Sequence, residues 1–222
     1  DSYAWLARLI PIGVRTVQLR IKNQSESEIR NQTEKAIGLC RAHGATLILN
    51  DYWETALATG CDFIHLGQED MEGADFAALR RANVRTGLST HTPEELDRAL
   101  AHSPDYVALG PIWPTLLKQM KYQPQGLSRI AEWKKRIGAL PLVAIGGLNP
   151  ERAPLVLQAG ADSACVVTDV LTHTSPEDRT REWIAATAPC SFSSSFSYLA
   201  LSSVSSACFW SRSSLNACSA CE

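Results

Sequence analysis

Seven times the chain repeats one pattern: a short, mostly apolar run, a cluster of polar or glycine residues, and then a helical stretch. The runs are Val17–Lys22, Thr46–Leu49, Phe63–Leu66, 84–88, Tyr106–Leu109, Pro141–Ile145 and Ala164–Val167. Most are continuous apolar runs, as expected of strands buried on both faces. Helices are predicted near 26–42, 53–59, 73–82, 93–101, 127–137, from Asn149–Pro150 to Gly160, and 176–187. Ser25 is the expected N-cap of the first of these, with Glu28 three residues on, and Pro93 suits a first helical turn. Strands alternating with helices at this spacing predict a parallel sheet, either open and doubly wound or closed as a barrel. No Gly-x-Gly-x-x-Gly follows the first run, which weighs against a dinucleotide-binding sheet. With a leading helix at 3–10, the seven units predict an α/β domain over residues 1–189. It is expected to be a (β/α)8 TIM barrel whose first strand lies upstream of residue 1.

Residues 190–222 break this pattern. Thirteen of them are serine and four are cysteine (Cys190, Cys208, Cys218, Cys221), with no helical or alternating period. The cysteine spacing matches no paired metal-ligand motif, so this tail is expected to be unstructured or foreign to the fold. Cys40, Cys61 and Cys165, all in apolar settings, are expected to be buried thiols of a cytoplasmic protein. A formal charge of −2 gives no reason to expect nucleic acid as a partner. No apolar run reaches the roughly 20 residues a bilayer requires. A homo-oligomer is compatible with the composition, which does not specify one.

The polar residues concentrate where strands end. The opening run alternates, with Val17, Leu19 and Ile21 on one face and Gln18, Arg20 and Lys22 on the other, each about 7 Å from the next. That second face calls for an anion opposite it. Asn50, Asp51, Asp70, Ser89, Thr115, Lys118, Gly146, Gly147 and Thr168 also fall at or just past strand ends, which converge on one rim in a barrel. Asp51 and Asp70 suit Mg2+, which is held by one or two carboxylates plus phosphate oxygens. Arg20, Lys22 and Lys118 would balance the remaining charge of a polyphosphate. Gly146–Gly147 and the turn at Val167–Thr168 match a barrel phosphate site built from backbone N–H groups. The pattern implies transfer between two phosphorylated small molecules, one a diphosphate and one a monophosphate. Other residues have structural explanations. His65, inside a strand, reads as a satisfied interior histidine, His91 is balanced between rim function and structure, and Trp5, Trp133 and Trp183 read as helix packing.

The strings QLRIK (18–22), ND (50–51), HLGQED (65–70), GLSTH (87–91), LGPIWPT (109–115) with Lys118, AIGGL (144–148) and VVT (166–168) resemble the thiamine-phosphate synthase family, in order over nearly all of 1–189. The resemblance implies a Mg2+-assisted transferase of thiamine biosynthesis on a (β/α)8 barrel. It would join hydroxymethylpyrimidine diphosphate to a thiazole phosphate and release pyrophosphate by a dissociative route. It implies that Gln18, Leu19, Arg20, Ile21, Lys22, Asn50, Ser89 and Lys118 bind the pyrimidine diphosphate, with Arg20, Ser89 and Lys118 in catalytic roles. Asp51 and Asp70 would hold Mg2+, and Thr115, Leu116, Leu117, Gly147, Val167 and Thr168 would surround the thiazole phosphate. The family usually has threonine where Leu117 stands and serine at Thr168, so weaker thiazole-phosphate binding is expected. The competing expectations are a non-catalytic barrel that binds phosphate ligands, and a barrel isomerase acting on thiazole phosphate alone. The latter has no need of two aspartates or of the cationic opening strand.

Overall fold

The computed structural model describes residues 2–115 and 122–188, and the backbone of 199–200 and 207–210. Helix α1 (Ser2–Leu9) and a 3-10 turn (Ile10–Ile12) lead into β1 (Thr16–Leu19). Then follow α2 (Glu26–Ala42), β2 (Thr46–Asn50), α3 (Trp53–Thr59), β3 (Phe63–Leu66), α4 (Gln68–Gly73), α5 (Phe76–Arg81) and β4 (Arg85–Thr90). The second half runs α6 (Pro93–Ala101), β5 (Tyr106–Leu109), α7 (Gly126–Ile137), β6 (Leu142–Ile145), α8 (Ala153–Gln158), β7 (Ser163–Cys165), α9 (Thr168–Leu171) and α10 (Pro176–Ala186). Strands β1 to β7 pair in parallel in sequence order.

The sheet is buried on both faces, as its apolar runs require. Its outer face packs on the helices through a large cluster that includes Val17, Leu19, Leu49, Ile64, Leu88, Val107, Trp133 and Trp183. A second cluster, Ile48, Phe63, Tyr106, Ala108, Val143 and Cys165, fills the concave side. At roughly 25 cal/mol per Å2 the outer layer is the main source of stability, whereas the concave layer is thin and leaves polar groups at its upper edge. Ser25 caps α2 as expected, its Oγ accepting from the Glu28 N–H at 3.3 Å. Cys40, Cys61 and Cys165 are buried, and burial pushes Cys40 up to about 12 and Cys61 to about 11.

Several expectations are corrected. Strand β1 stops at Leu19, not Lys22, because its partner β2 ends at Asn50 and Asp51 turns the chain away with φ +69°. The segment Gln68–Gly73 is helical, which puts Asp70 in a first helical turn. Strand β4 runs on to Thr90, so Ser89 lies inside it. The expected helix at Asn149–Pro150 begins at Ala153, because Asn149 Oδ1 takes the Arg152 N–H in a turn (2.9 Å). As the seven strand–helix units predict, β1 to β7 form a curled seven-stranded parallel sheet. Two short segments beyond residue 190 are paired: Leu199–Ala200 (β8) with β7 in parallel and Ala207–Trp210 (β9) with β1 antiparallel. Edge strands present unpaired N–H and C=O groups, and these short segments satisfy them at both ends of the sheet.

Candidate active site

The two halves of the strand-end rim are built differently. On the β1–β4 side, Gln18 points to the concave face beside Ile48, its register partner, and is 5% exposed. Asn50, also buried, is the register partner of His65. Arg20 and Lys22 follow β1 on a segment tied down by Tyr52, whose O–H donates to the Ile21 carbonyl at 3.0 Å. Lys22 makes an ion pair with Asp51. Asp51 and Asp70 lie within hydrogen-bonding reach of each other. Burial, then the Asp51 charge beside it, raises the Asp70 carboxyl above the usual aspartate range. Gly67 leaves room for this group, since a Cβ there would stand 2.9 Å from Asp70 Oδ2. A carboxyl raised by an adjacent carboxylate is a donor set whose repulsion a divalent cation would relieve. Among the described residues no group of three or more His, Cys, Asp or Glu could hold a metal ion.

Ser89 is held at both ends. Its Oγ lies 2.8 Å from His65 Nε2, and its carbonyl accepts from Gln68 Nε2 at 2.6 Å. The other ring nitrogen, His65 Nδ1, lies 2.6 Å from the Tyr106 hydroxyl. Next along the strand, Thr90 faces the helices, where its hydroxyl donates to the Ala108 carbonyl and accepts from Trp133 Nε1.

On the β5–β7 side the backbone dominates. The loop after β5 lies across the end of β6, with Ile112 N–H donating to Ile145 O (2.9 Å) and Trp113 N–H to Gly146 O (3.1 Å). Gly146 (φ +97°) and Gly147 (φ +68°) make this approach possible. A Cβ on Gly146 would sit 2.6 Å from Pro111 Cα, and one on Gly147 would sit 2.7 Å from the Pro114 carbonyl oxygen. The same crossing lays Trp113 and Pro114, which precede Thr115, over Gly147. Arg152 donates to the Gly147 carbonyl at 2.5 Å and stacks its guanidinium over Trp113 at 5.1 Å. Val167 and Thr168 enter α9, which is fastened by Asp169 accepting from Arg179 (2.8 and 2.9 Å) and from Trp183 Nε1 (2.7 Å).

The expected site residues Gln18, Arg20, Lys22, Asn50, Asp51, Asp70, Ser89, Thr115, Gly147, Val167 and Thr168 therefore all lie at one end of one sheet. Leu19 and Ile21 do not present side chains there. They are 0% and 2% exposed in the helix-facing core, because strand alternation turns them away from Gln18 and Arg20. Lys118, Leu116 and Leu117 lie outside the described residues. His91 is structural: its backbone and ring N–H both reach Glu95 Oε2 (2.7 Å), and its ring stacks on Tyr122 at 4.0 Å. Burial alone would raise Glu95, but its bonds from Tyr122 and His91 outweigh that and lower it. Sequence reasoning missed Tyr106, Gln68 and Arg152. An isolated glycine inside a strand, Gly87, was the available signal for Tyr106, since such a glycine often marks a close approach.

The comparisons with known proteins point the same way. A family model described as thiamine monophosphate synthase matches residues 1–170. The chain is 59% identical over 189 residues to the thiamine-phosphate synthase of Rhizobium etli, covering 85% of this chain and 93% of that one. It is 48% identical over 170 residues to the thiamine-phosphate synthase of Cronobacter sakazakii, covering 77% and 81%. Among solved structures, the thiamine phosphate pyrophosphorylase of Pyrococcus furiosus superposes with a TM-score of 0.74 at 26% identity, over 84% of this chain and 89% of that one. No helix among the described residues is long and apolar enough to cross a membrane.

Proposed function

The chain belongs to the thiamine monophosphate synthase family, and on that premise we propose that it joins a pyrimidine methyl diphosphate to a thiazole phosphate, giving thiamine phosphate and pyrophosphate. The curled sheet is read as seven strands of a (β/α)8 barrel. One observation carries the reading: a cationic and acidic half-rim on β1–β4 faces a backbone-built half-rim on β5–β7. Two phosphorylated substrates of unequal charge need two such unlike receptors.

In this reading Gln18 and Asn50 orient the pyrimidine diphosphate, while Arg20, Lys22 and Lys118 neutralise it. Ser89 donates a hydrogen bond toward the leaving group. Thr115, Gly147, Val167 and Thr168 receive the thiazole phosphate through hydroxyl and N–H groups. The methylene–oxygen bond breaks with its electron pair leaving on pyrophosphate, and the thiazole nitrogen lone pair forms the new carbon–nitrogen bond. No enzyme nucleophile is needed, so catalysis is positioning plus stabilisation of the departing charge. Asp51 and Asp70 would hold Mg2+, which when bound supplies positive charge to the diphosphate oxygens.

The test is direct. Incubated with Mg2+ and both substrates, the full chain is expected to release pyrophosphate and thiamine phosphate, and Arg20→Ala or Lys118→Ala to lower kcat by about 100-fold or more. Folded protein that binds both phosphates without turnover would identify a binding-only barrel instead.

A further inference from the structure

We propose that His65, with Tyr106 behind it, is a positioning residue that aims the Ser89 hydroxyl as a hydrogen-bond donor into the site. This rests on the reading of Ser89 as a ligand of the pyrimidine diphosphate.

The arrangement is built across three neighbouring strands. His65 on β3, Gly87 on β4 and Tyr106 on β5 are successive register partners, so their concave-side positions form one layer. Gly87 is the gap in that layer. A Cβ there would fall 1.9 Å from the Tyr106 ring, so only glycine lets the tyrosine reach over β4. Its hydroxyl arrives 2.6 Å from His65 Nδ1, and Nε2 of the same ring meets Ser89 Oγ at 2.8 Å. The ring is 7% exposed and lies nearly parallel to Tyr106, 19° between planes. Both ring nitrogens are thereby committed, and the imidazole has no third polar position with which to touch substrate.

Direction follows from chemistry. Both partners of this buried ring are hydroxyls, so as a neutral imidazole it has one nitrogen that donates and one that accepts. If Nε2 were the acceptor, the Ser89 proton would point back at the histidine and only lone pairs would face an anionic substrate. With Tyr106 donating to Nδ1, Nε2–H donates to Ser89 Oγ, and the Ser89 proton is left for a phosphate oxygen. The phenol is a better donor than an alcohol, which favours this polarity. Gln68, donating to the Ser89 carbonyl, holds the backbone while the hydroxyl is aimed.

The experiment is a double-mutant cycle on the full chain. Steady-state kinetics with varied pyrimidine diphosphate would compare Ser89→Ala, Tyr106→Phe, His65→Gln and each pair with Ser89→Ala. Tyr106→Phe keeps the ring that packs edge-on to Phe63, so it tests the hydroxyl without emptying the layer. Each single variant is expected to lower kcat/KM for the pyrimidine diphosphate about tenfold, the worth of one hydrogen bond. KM for the thiazole phosphate should be unchanged. In the Ser89→Ala background Tyr106→Phe and His65→Gln should have no further effect. Additive losses, or a parental rate from Tyr106→Phe, would overturn the proposal while leaving Ser89 as a ligand. A parental rate from Ser89→Ala would instead remove the reading of Ser89, and this proposal with it.

Discussion

Under the proposed function, the two halves of the rim solve the same problem, holding a phosphate, by opposite means. On β1–β4 the working groups are side chains on short leashes: Lys22 against Asp51, Asp51 against Asp70, Ser89 against His65. On β5–β7 the working surface is main chain, and side chains such as Arg152 and Asp169 secure it from behind. The difference matters for how each half can fail. A side-chain receptor can lose a charge and keep its shape. A backbone receptor is shape alone, so a single methyl group can remove it.

The largest expected effect lies in the backbone half. Gly146→Ala must place a methyl 2.6 Å from Pro111 Cα with the backbone at φ +97°, where neither neighbour is a flexible side chain. Overpacking plus left-handed strain is expected to cost about 3 kcal/mol or more, read as a lowered urea midpoint. Binding of thiazole phosphate should be lost with it. A midpoint within about 0.5 kcal/mol of the parent would mean that the loop after β5 does not lean on β6 as described.

The same contrast explains what was legible in the sequence. The alternation Gln18, Arg20, Lys22 against Val17, Leu19, Ile21 exposed the first half, because strand period alone separates receptor from core. Asp51 and Asp70 were visible as charges at strand ends, although the helix under Asp70 was not, since Gly67 and Gly73 resemble turn signals at both of its ends. The glycine pair stood out in the sequence as a backbone feature. Its steric reason did not, because the crossing of Pro111–Pro114 over Gly146–Gly147 joins positions some 35 apart. His65 was expected to be satisfied in the interior, and it is. Its partners Tyr106 and Ser89 come from two other strands, so sequence separation hides them. The strands at Leu199–Ala200 and Ala207–Trp210 were illegible for a related reason, since their partners β7 and β1 are distant in sequence.

Acid titration probes the side-chain half next. His65 has its folded value near 4 against an ordinary 6.5, so its contribution is fully present above pH 6.5. It is lost as pH falls toward 4, because the unfolded chain takes up a proton that the native ring refuses. The expected loss is about 2–3 kcal/mol across that window, measured by urea unfolding at several pH values. His65→Gln should flatten the slope; an unchanged slope would assign the acid sensitivity to other groups.

Asp70 should run the other way, with the smallest effect. Its folded value is raised, so its contribution is present below the unfolded carboxyl value and is lost as pH rises through the folded one. In the metal-free protein the ionised Asp70 therefore faces the Asp51 charge, a repulsion that Lys22 only partly offsets. Asp70→Asn removes that repulsion and is expected to raise the Tm of metal-free protein slightly at pH 7, with no gain at pH 4. The same variant should abolish any rise in Tm on adding Mg2+ with inorganic pyrophosphate. A lowered Tm at pH 7 would show instead that the Asp70 carboxylate, through the Gly67 N–H, holds the start of α4 more than it repels Asp51. The half-rim of charges would then be a structural unit in its own right, as dependent on each member as the glycine half is on its missing side chains.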